Sequence, residues 1–192
     1  MTDPTQPSLS RPDDDVPFAS EGALPDILAI IESAKARGGM ESLVRFIRKA
    51  LPEAEDAEVR EAAEVALEVI ESVPVFLARA RQASHERGLS AVVLPLLERA
   101  EQYYLQPVDL LPEMTLGLPG LLDDSYLIIR IIENLEKGPQ PFLDWDLEYP
   151  ARFLQRLMGP AIAQRLDRIA ERAMDEVSSQ LTELWQRLAH PA

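Results

Sequence analysis

Tyr104–Asp124, reading YLQPVDLLPEMTLGLPGLLDD, is the stretch on which the fold turns. Pro107 stops the preceding helix and biases Gln106 toward extended backbone. In the loop that follows, Asp109 is expected to cap a short turn by accepting the N–H of Leu111, since Pro112 has none to offer. Glu113 closes the loop. Gly117 and Gly120 are expected to allow a tight reversal with positive φ. Asp123 and Asp124 then open a strongly apolar segment. In the first turn of a helix their charges meet the helix dipole, worth about 0.3–1 kcal/mol each when exposed. Leu121, Leu122, Leu127, Ile128, Ile131, Ile132 and Leu135 are expected to pack against helices on both sides. The leading account of the stretch is a structural lock in which carboxylates hold backbone N–H groups of a sharp helix-loop-helix turn.

Working outward, the pattern is helical from Leu24 onward, with no convincing alternating strand. One helix starts at Pro25 and stops at Gly38-Gly39; a second runs over about 41–51 and ends before Pro52. A third covers about 55–72, and Pro74 begins or kinks a fourth that Gly88 closes. A fifth spans 90–104, with Pro95 inside it, and a sixth runs over about 121–136. The segment 142–149 reads as an ordered loop in which Trp145 anchors onto the core. A short helix over 150–158 precedes a long one over 160–189. Residues 1–22 carry four prolines and the run Asp13-Asp14-Asp15, and are expected to form a disordered acidic tail. The expected architecture is all-α, a multi-helix bundle forming a single helical domain over 23–192.

The chain has 192 residues, 46% of them apolar, and 33 acids against 19 Lys and Arg, for a net charge of −14. That balance argues against nucleic acid, which needs a basic footprint, and against an anionic membrane surface. There is no cysteine, so disulfides, thiolate nucleophiles and thiolate metal sites are excluded and a reducing, cytoplasmic setting is expected. The longest apolar stretch, 114–132, is broken by Asp123, Asp124 and Arg130 and makes no clean membrane span.

Two surfaces stand out as partner-binding candidates. Glu61, Glu64, Glu68 and Glu71 fall on one helix face, where like charges one turn apart cost roughly 0.2–0.5 kcal/mol per pair. A basic stretch over 35–49 (Lys35, Arg37, Arg45, Arg48, Lys49) offers an internal match, and a cationic partner offers an external one. On the last helix, Ile162, Leu166, Ile169, Ala173, Val177, Leu181, Leu184 and Leu188 recur as one apolar stripe with Trp185 on its flank. This stripe either packs on its own domain or pairs with another chain, possession of which would make the protein a homo-oligomer.

The residues Tyr104, Pro107, Asp109, Pro112 and Glu113, followed by Gly120 and the pair Asp123-Asp124, resemble the signature of the YkvA-like family, a bacterial domain of unknown function. That signature is a tyrosine at a helix end, a Pro-Ile-Asp-Leu-Ile-Pro-Asp loop and a Gly-aromatic-Leu-Asp-Asp helix start. The resemblance covers about 74–137. Glu113 stands where the family carries Asp, Gln106 where Ser is common, and Leu121 where an aromatic is frequent. It implies a helical core and names no reaction.

Little here suggests an enzyme. His85 and His190 read as surface residues, Ser84 lacks the glycine-flanked elbow of a nucleophile, and Gly38-Gly39 is a helix stop. No cofactor is expected. The reading is a non-catalytic helical adaptor or accessory protein acting through protein–protein interaction. One alternative is a peripheral membrane-associated protein. Another is a divalent-cation protein or enzyme using Asp109, Glu113, Asp123 and Asp124, four carboxylates that would suit Mg²⁺, Mn²⁺ or Ca²⁺.

Overall fold

Six α-helices and no strand make up the described part of the chain, which in this computed structural model comprises residues 22–106, 117–137, 143, 145–175, 182, 183, 186 and 189. The expected all-α architecture is what the chain adopts. Helix α1 spans Leu24–Ala50 and bends sharply at Gly38 and Gly39. The backbone leaves helical geometry at both glycines, Gly38 at φ 177 and ψ −14, so the stop expected between two helices is present inside this span. Gly39 has φ +48 and ψ −147, a conformation that is strained for a residue with a side chain.

Helix α2, Asp56–Glu86, starts in a capping box in which Glu55 accepts the Glu58 N–H and the Glu58 side chain accepts the Glu55 N–H. Pro74 does not begin a new helix: α2 runs through it. A mid-helix proline costs about 3 kcal/mol. Here Ile70, Val73 and Leu77 are fully buried on either side of it, and burial of each such side chain is worth about 1.5–3 kcal/mol. The helix stops where expected. Gly88, at φ +67, lets the Leu89 N–H reach the Ser84 carbonyl at 2.7 Å and its own N–H reach His85, a glycine-terminated Schellman close.

Helix α3 is Ser90–Leu105, with Pro95 inside it. A 3-10 turn, Leu118–Leu121, leads into α4, Leu122–Leu135. Of the two glycines expected to reverse the chain, Gly117 alone takes positive φ, +128. Gly120 lies inside the 3-10 turn and donates its N–H to the Gly117 carbonyl, so its backbone is right-handed where positive φ was expected. Helix α5 is Glu148–Met158 and α6 is Pro160–Asp175. The disordered tail expected over 1–22 falls, up to residue 21, outside the described residues.

Helix α4 is the centre. It packs against α2, α3, α5, α6 and the 3-10 turn, and every side chain from Leu122 to Ile129 is buried. Its Leu and Ile side chains meet those neighbours, while Arg130, Glu133 and Asn134 keep a half-buried strip toward solvent. Helices α1 and α2 form an antiparallel pair beside it. Lys35 bridges to Glu71 at 2.9 Å, and Arg48 pairs with Asp56. The internal match between basic and acidic helices is thus realised at those two points. In α6 the buried side chains are Ala163, Leu166, Ala170 and Ala173, with Ile162 and Ile169 on the flank. This part of the stripe packs on the chain's own α4 and α5. Trp145, expected to anchor its loop on the core, tilts against half-buried Phe76 of α2 with ring centroids 5.1 Å apart and stays 36% exposed.

Ile128 has no solvent exposure. Ile128→Ala is expected to lower stability by about 2–5 kcal/mol, through lost transfer energy and a residual cavity. Leu28→Ala, on the open side of α1, should change it by less than about 0.5 kcal/mol. Urea midpoints at unchanged slope check both.

Candidate functional site

The start of α4 gathers polar groups in the interior. Asp123 and Asp124 are 4% and 3% exposed, and Ser125 and Tyr104 are equally enclosed. Both aspartates lie in the first turn of α4, as expected. The Asp124 N–H donates to Asp123 Oδ1 at 3.1 Å, a contact between neighbours within the first turn of α4; the loop that the lock would hold lies outside the described residues. Tyr104, at the end of α3, faces Ser125 across the α3–α4 interface, yet neither hydroxyl completes a hydrogen bond of normal geometry. Burial, against a smaller opposing influence from Ser125, raises the Tyr104 pKa above its usual value, and the charges of Asp124 and Asp123 add to the rise. Pro107, Asp109, Pro112 and Glu113, the rest of the motif, lie outside the described residues. Among the described residues no group of three or more His, Asp or Glu is placed to hold a metal ion.

A second buried polar node was not foreseen from the sequence. Arg81 of α2 makes a forked contact with Glu101 of α3, Nε to Oε1 at 3.0 Å and Nη2 to Oε1 and Oε2 at 2.6 and 2.7 Å. Their side chains are 11% and 3% exposed. The Ala23 N–H adds a contact to Glu101 Oε2 at 3.3 Å, so the pair ties the start of α1 to α2 and α3. A signal did exist: Glu101 falls on the buried stripe of α3 with Leu97, Ala100 and Tyr104. A charge on such a stripe requires a partner.

Asp167 of α6 forms a third node. Its Oδ1 accepts from the Tyr126 hydroxyl and from Arg130 Nε, both at 2.9 Å, and Arg130 also pairs with Glu133. Burial first, then the Asp167 contact, raises the Tyr126 pKa. For Arg130, burial acts downward, but Glu133 and Asp167 outweigh it and the pKa is raised. A cleft of about 200 Å³ opens beside these residues and is also lined by Glu148, Arg152 and Gln155. Its arginines are matched by acids: Arg130 as above, and Arg152 by Glu148. Each charge in it has a partner, with Arg130 shared between Glu133 and Asp167.

The outer surface differs. Glu61, Glu64, Glu68 and Glu71 are all exposed on one face of α2, opposite fully buried Val59, Ala63, Ala66 and Ile70. Glu71 pairs with Lys35, whose pKa is held above the usual value by Glu71 and then Glu32. Glu61, Glu64 and Glu68 have no ion-pair partner among the described residues. Beside this ridge lies a larger cleft of about 540 Å³, between the α1–α2 turn, α2 and α5. Leu51, Ala62, Val65, Phe153 and Leu157 give it apolar walls, and Glu53, Glu58 and Glu61 stand among its polar lining.

The residues that might have been catalytic are not assembled as such. The Ser84 hydroxyl is buried and donates to the Arg81 carbonyl at 2.7 Å; His85 is on the surface. Leu181, Leu184 and Trp185 lie outside the described residues. Among the described residues no helix is long and apolar enough to cross a membrane. No protein-family model, curated protein or solved structure matches the chain.

Two predictions follow from the buried nodes. Glu101→Ala leaves Arg81 enclosed without its counter-charge and should cost about 3–5 kcal/mol. The double substitution Arg81→Met with Glu101→Leu should recover most of that loss, as denaturant unfolding would read. Tyr104 and Tyr126 are both raised in the folded state. Their contribution is therefore complete below the ordinary tyrosine value of about 10 and is lost as pH rises above it toward the folded-state values. Melting temperature should fall from about pH 10 upward, and Tyr104→Phe should make that fall shallower.

Proposed function

We propose that this is a non-catalytic helical protein, of YkvA-like kind, that works by binding another protein. The observation that carries the reading is the ridge Glu61–Glu64–Glu68 along α2, exposed and without internal counter-charge among the described residues. Its neighbours repel at roughly 0.2–0.5 kcal/mol per pair, while Lys35 and Arg48 are engaged at Glu71 and Asp56. A cationic surface on a partner relieves that repulsion and gains complementary steering at low salt. The motif around Tyr104 and Asp123-Asp124 serves this role as architecture, setting α3 against α4. The absence of cysteine from the sequence fits work in a reducing compartment such as the cytoplasm.

Glu61→Lys/Glu64→Lys/Glu68→Lys tests the reading. The triple variant should keep the helical circular dichroism of the parent, since all three sites are exposed. It should lose proteins that the parent retains on an affinity column at low salt, and the parent's own retention should decline as salt is raised. A variant that retains the same proteins as the parent would refute the proposal.

A further inference from the structure

We propose that the cleft between the α1–α2 turn, α2 and α5 receives a basic amphipathic segment of the partner protein, its apolar anchor seated against Val65, Phe153 and Leu157 and its cations against Glu53 and Glu61. This rests on the protein-binding reading above and assigns that reading its contact surface and the chemistry of its ligand.

The cleft holds about 540 Å³, within the usual range of binding clefts, about 300–1,000 Å³. Half-buried Ala62 and Val65 of α2 and Phe153 of α5 form its apolar walls, and Leu157 beside them is nearly enclosed. Tyr149, at the start of α5, lines it while remaining 64% exposed. A tyrosine so placed offers large contact area at small entropic cost, which is why such residues recur in binding surfaces. Three carboxylates line the cleft, at Glu53, Glu58 and Glu61, against one cation, Arg156. Glu58 is engaged in the capping box, which leaves Glu53 and Glu61 to meet a ligand. Glu64 and Glu68 continue the negative charge along α2.

Charge complementarity selects the occupant. Apolar walls with acidic residues among them favour a segment that carries large apolar side chains on one face and Lys or Arg on the other, the groove mode of helix recognition. Nucleic acid and anionic lipid are repelled by the same carboxylates. A second copy of this chain, at net charge −14, would bring acidic surface against acidic surface. Arg156, on the α5 wall, gives the cleft a polarity and favours an acid or a carboxylate on that side of the bound segment.

The test uses the full chain and a fluorescein-labelled synthetic helix of Lys and Leu, read by fluorescence anisotropy at low salt. A second peptide with the same lysines but Ser in place of Leu serves as the probe of charge alone. The Lys/Leu helix should bind, and the Lys/Ser peptide should bind at least about tenfold more weakly. Tyr149→Ala and Glu61→Lys should each weaken the Lys/Leu helix about tenfold, as truncation of an interface anchor does; both sites are exposed, and circular dichroism verifies the fold. No binding of the Lys/Leu helix, equal binding of the two peptides, or indifference to Tyr149→Ala would overturn the proposal. So would a dimer of the parent in light scattering that Tyr149→Ala dissociates, because the cleft would then hold a second copy. Weakening by Glu64→Lys/Glu68→Lys but not by Tyr149→Ala would sink the cleft and leave the acidic ridge as the docking surface. Indifference to all of these substitutions would remove both.

Discussion

A helix with almost no side facing water constrains everything around it. Helix α4 is enclosed by α2, α3, α5, α6 and the 3-10 turn, so each neighbour must present an apolar face toward it. The constraint also accounts for the short turn before it. The chain enters α4 through Leu118–Leu121, and three of those four residues are buried. Polar groups are admitted at the N-terminal end, where free N–H groups and the positive end of the helix dipole make carboxylates tolerable. Asp123 and Asp124 occupy that end, and Asp124 N–H meets Asp123 Oδ1.

Charge is handled differently inside and outside. Between helices, ions are matched one against another: Arg81 with Glu101 in the interior, and half-buried Arg130 with Asp167 nearer the surface. Each pair joins different helices, α2 to α3 and α4 to α6. Such pairs are poor sources of net stability because both ions lose water, but their loss on one side alone is severe. On the surface the acids of α2 are matched at the two ends of the α1–α2 contact, by Arg48 and Lys35, and left open between them. The open portion borders the larger cleft, and that adjacency of apolar wall and unrelieved negative charge carries the functional proposals.

Much of this was legible residue by residue. Buried Val59, Ala63, Ala66 and Ile70 sit opposite exposed glutamates because a period of 3.6 residues separates them whatever the tertiary setting. Gly88 ends α2 because only glycine takes its backbone conformation without strain. Trp145 lies on Phe76 because a large ring in a loop needs an apolar surface. Pro74 misled only in part: a local rule weighs one lost hydrogen bond, whereas the helix is held by burial on both sides of it. Gly120 misled for a related reason, since a glycine permits positive φ and does not demand it. Arg81 lies 20 positions from Glu101, and Arg130 and Tyr126 lie 37 and 41 from Asp167, so these partners were invisible.

Sequence alone determined the helical class, the helix ends set by glycine and by Pro52 and Pro107, which face of α2 is acidic, and the absence of thiol chemistry. These depend on local periodicity, backbone conformation and composition. Tertiary structure alone decided that Arg81 meets Glu101, that Tyr126 and Arg130 converge on Asp167, and that α5 comes beside the α1–α2 turn to leave a cleft under the acidic ridge. Those juxtapositions depend on how separate helices pack around α4, and packing is a property of the assembled chain that no single segment encodes.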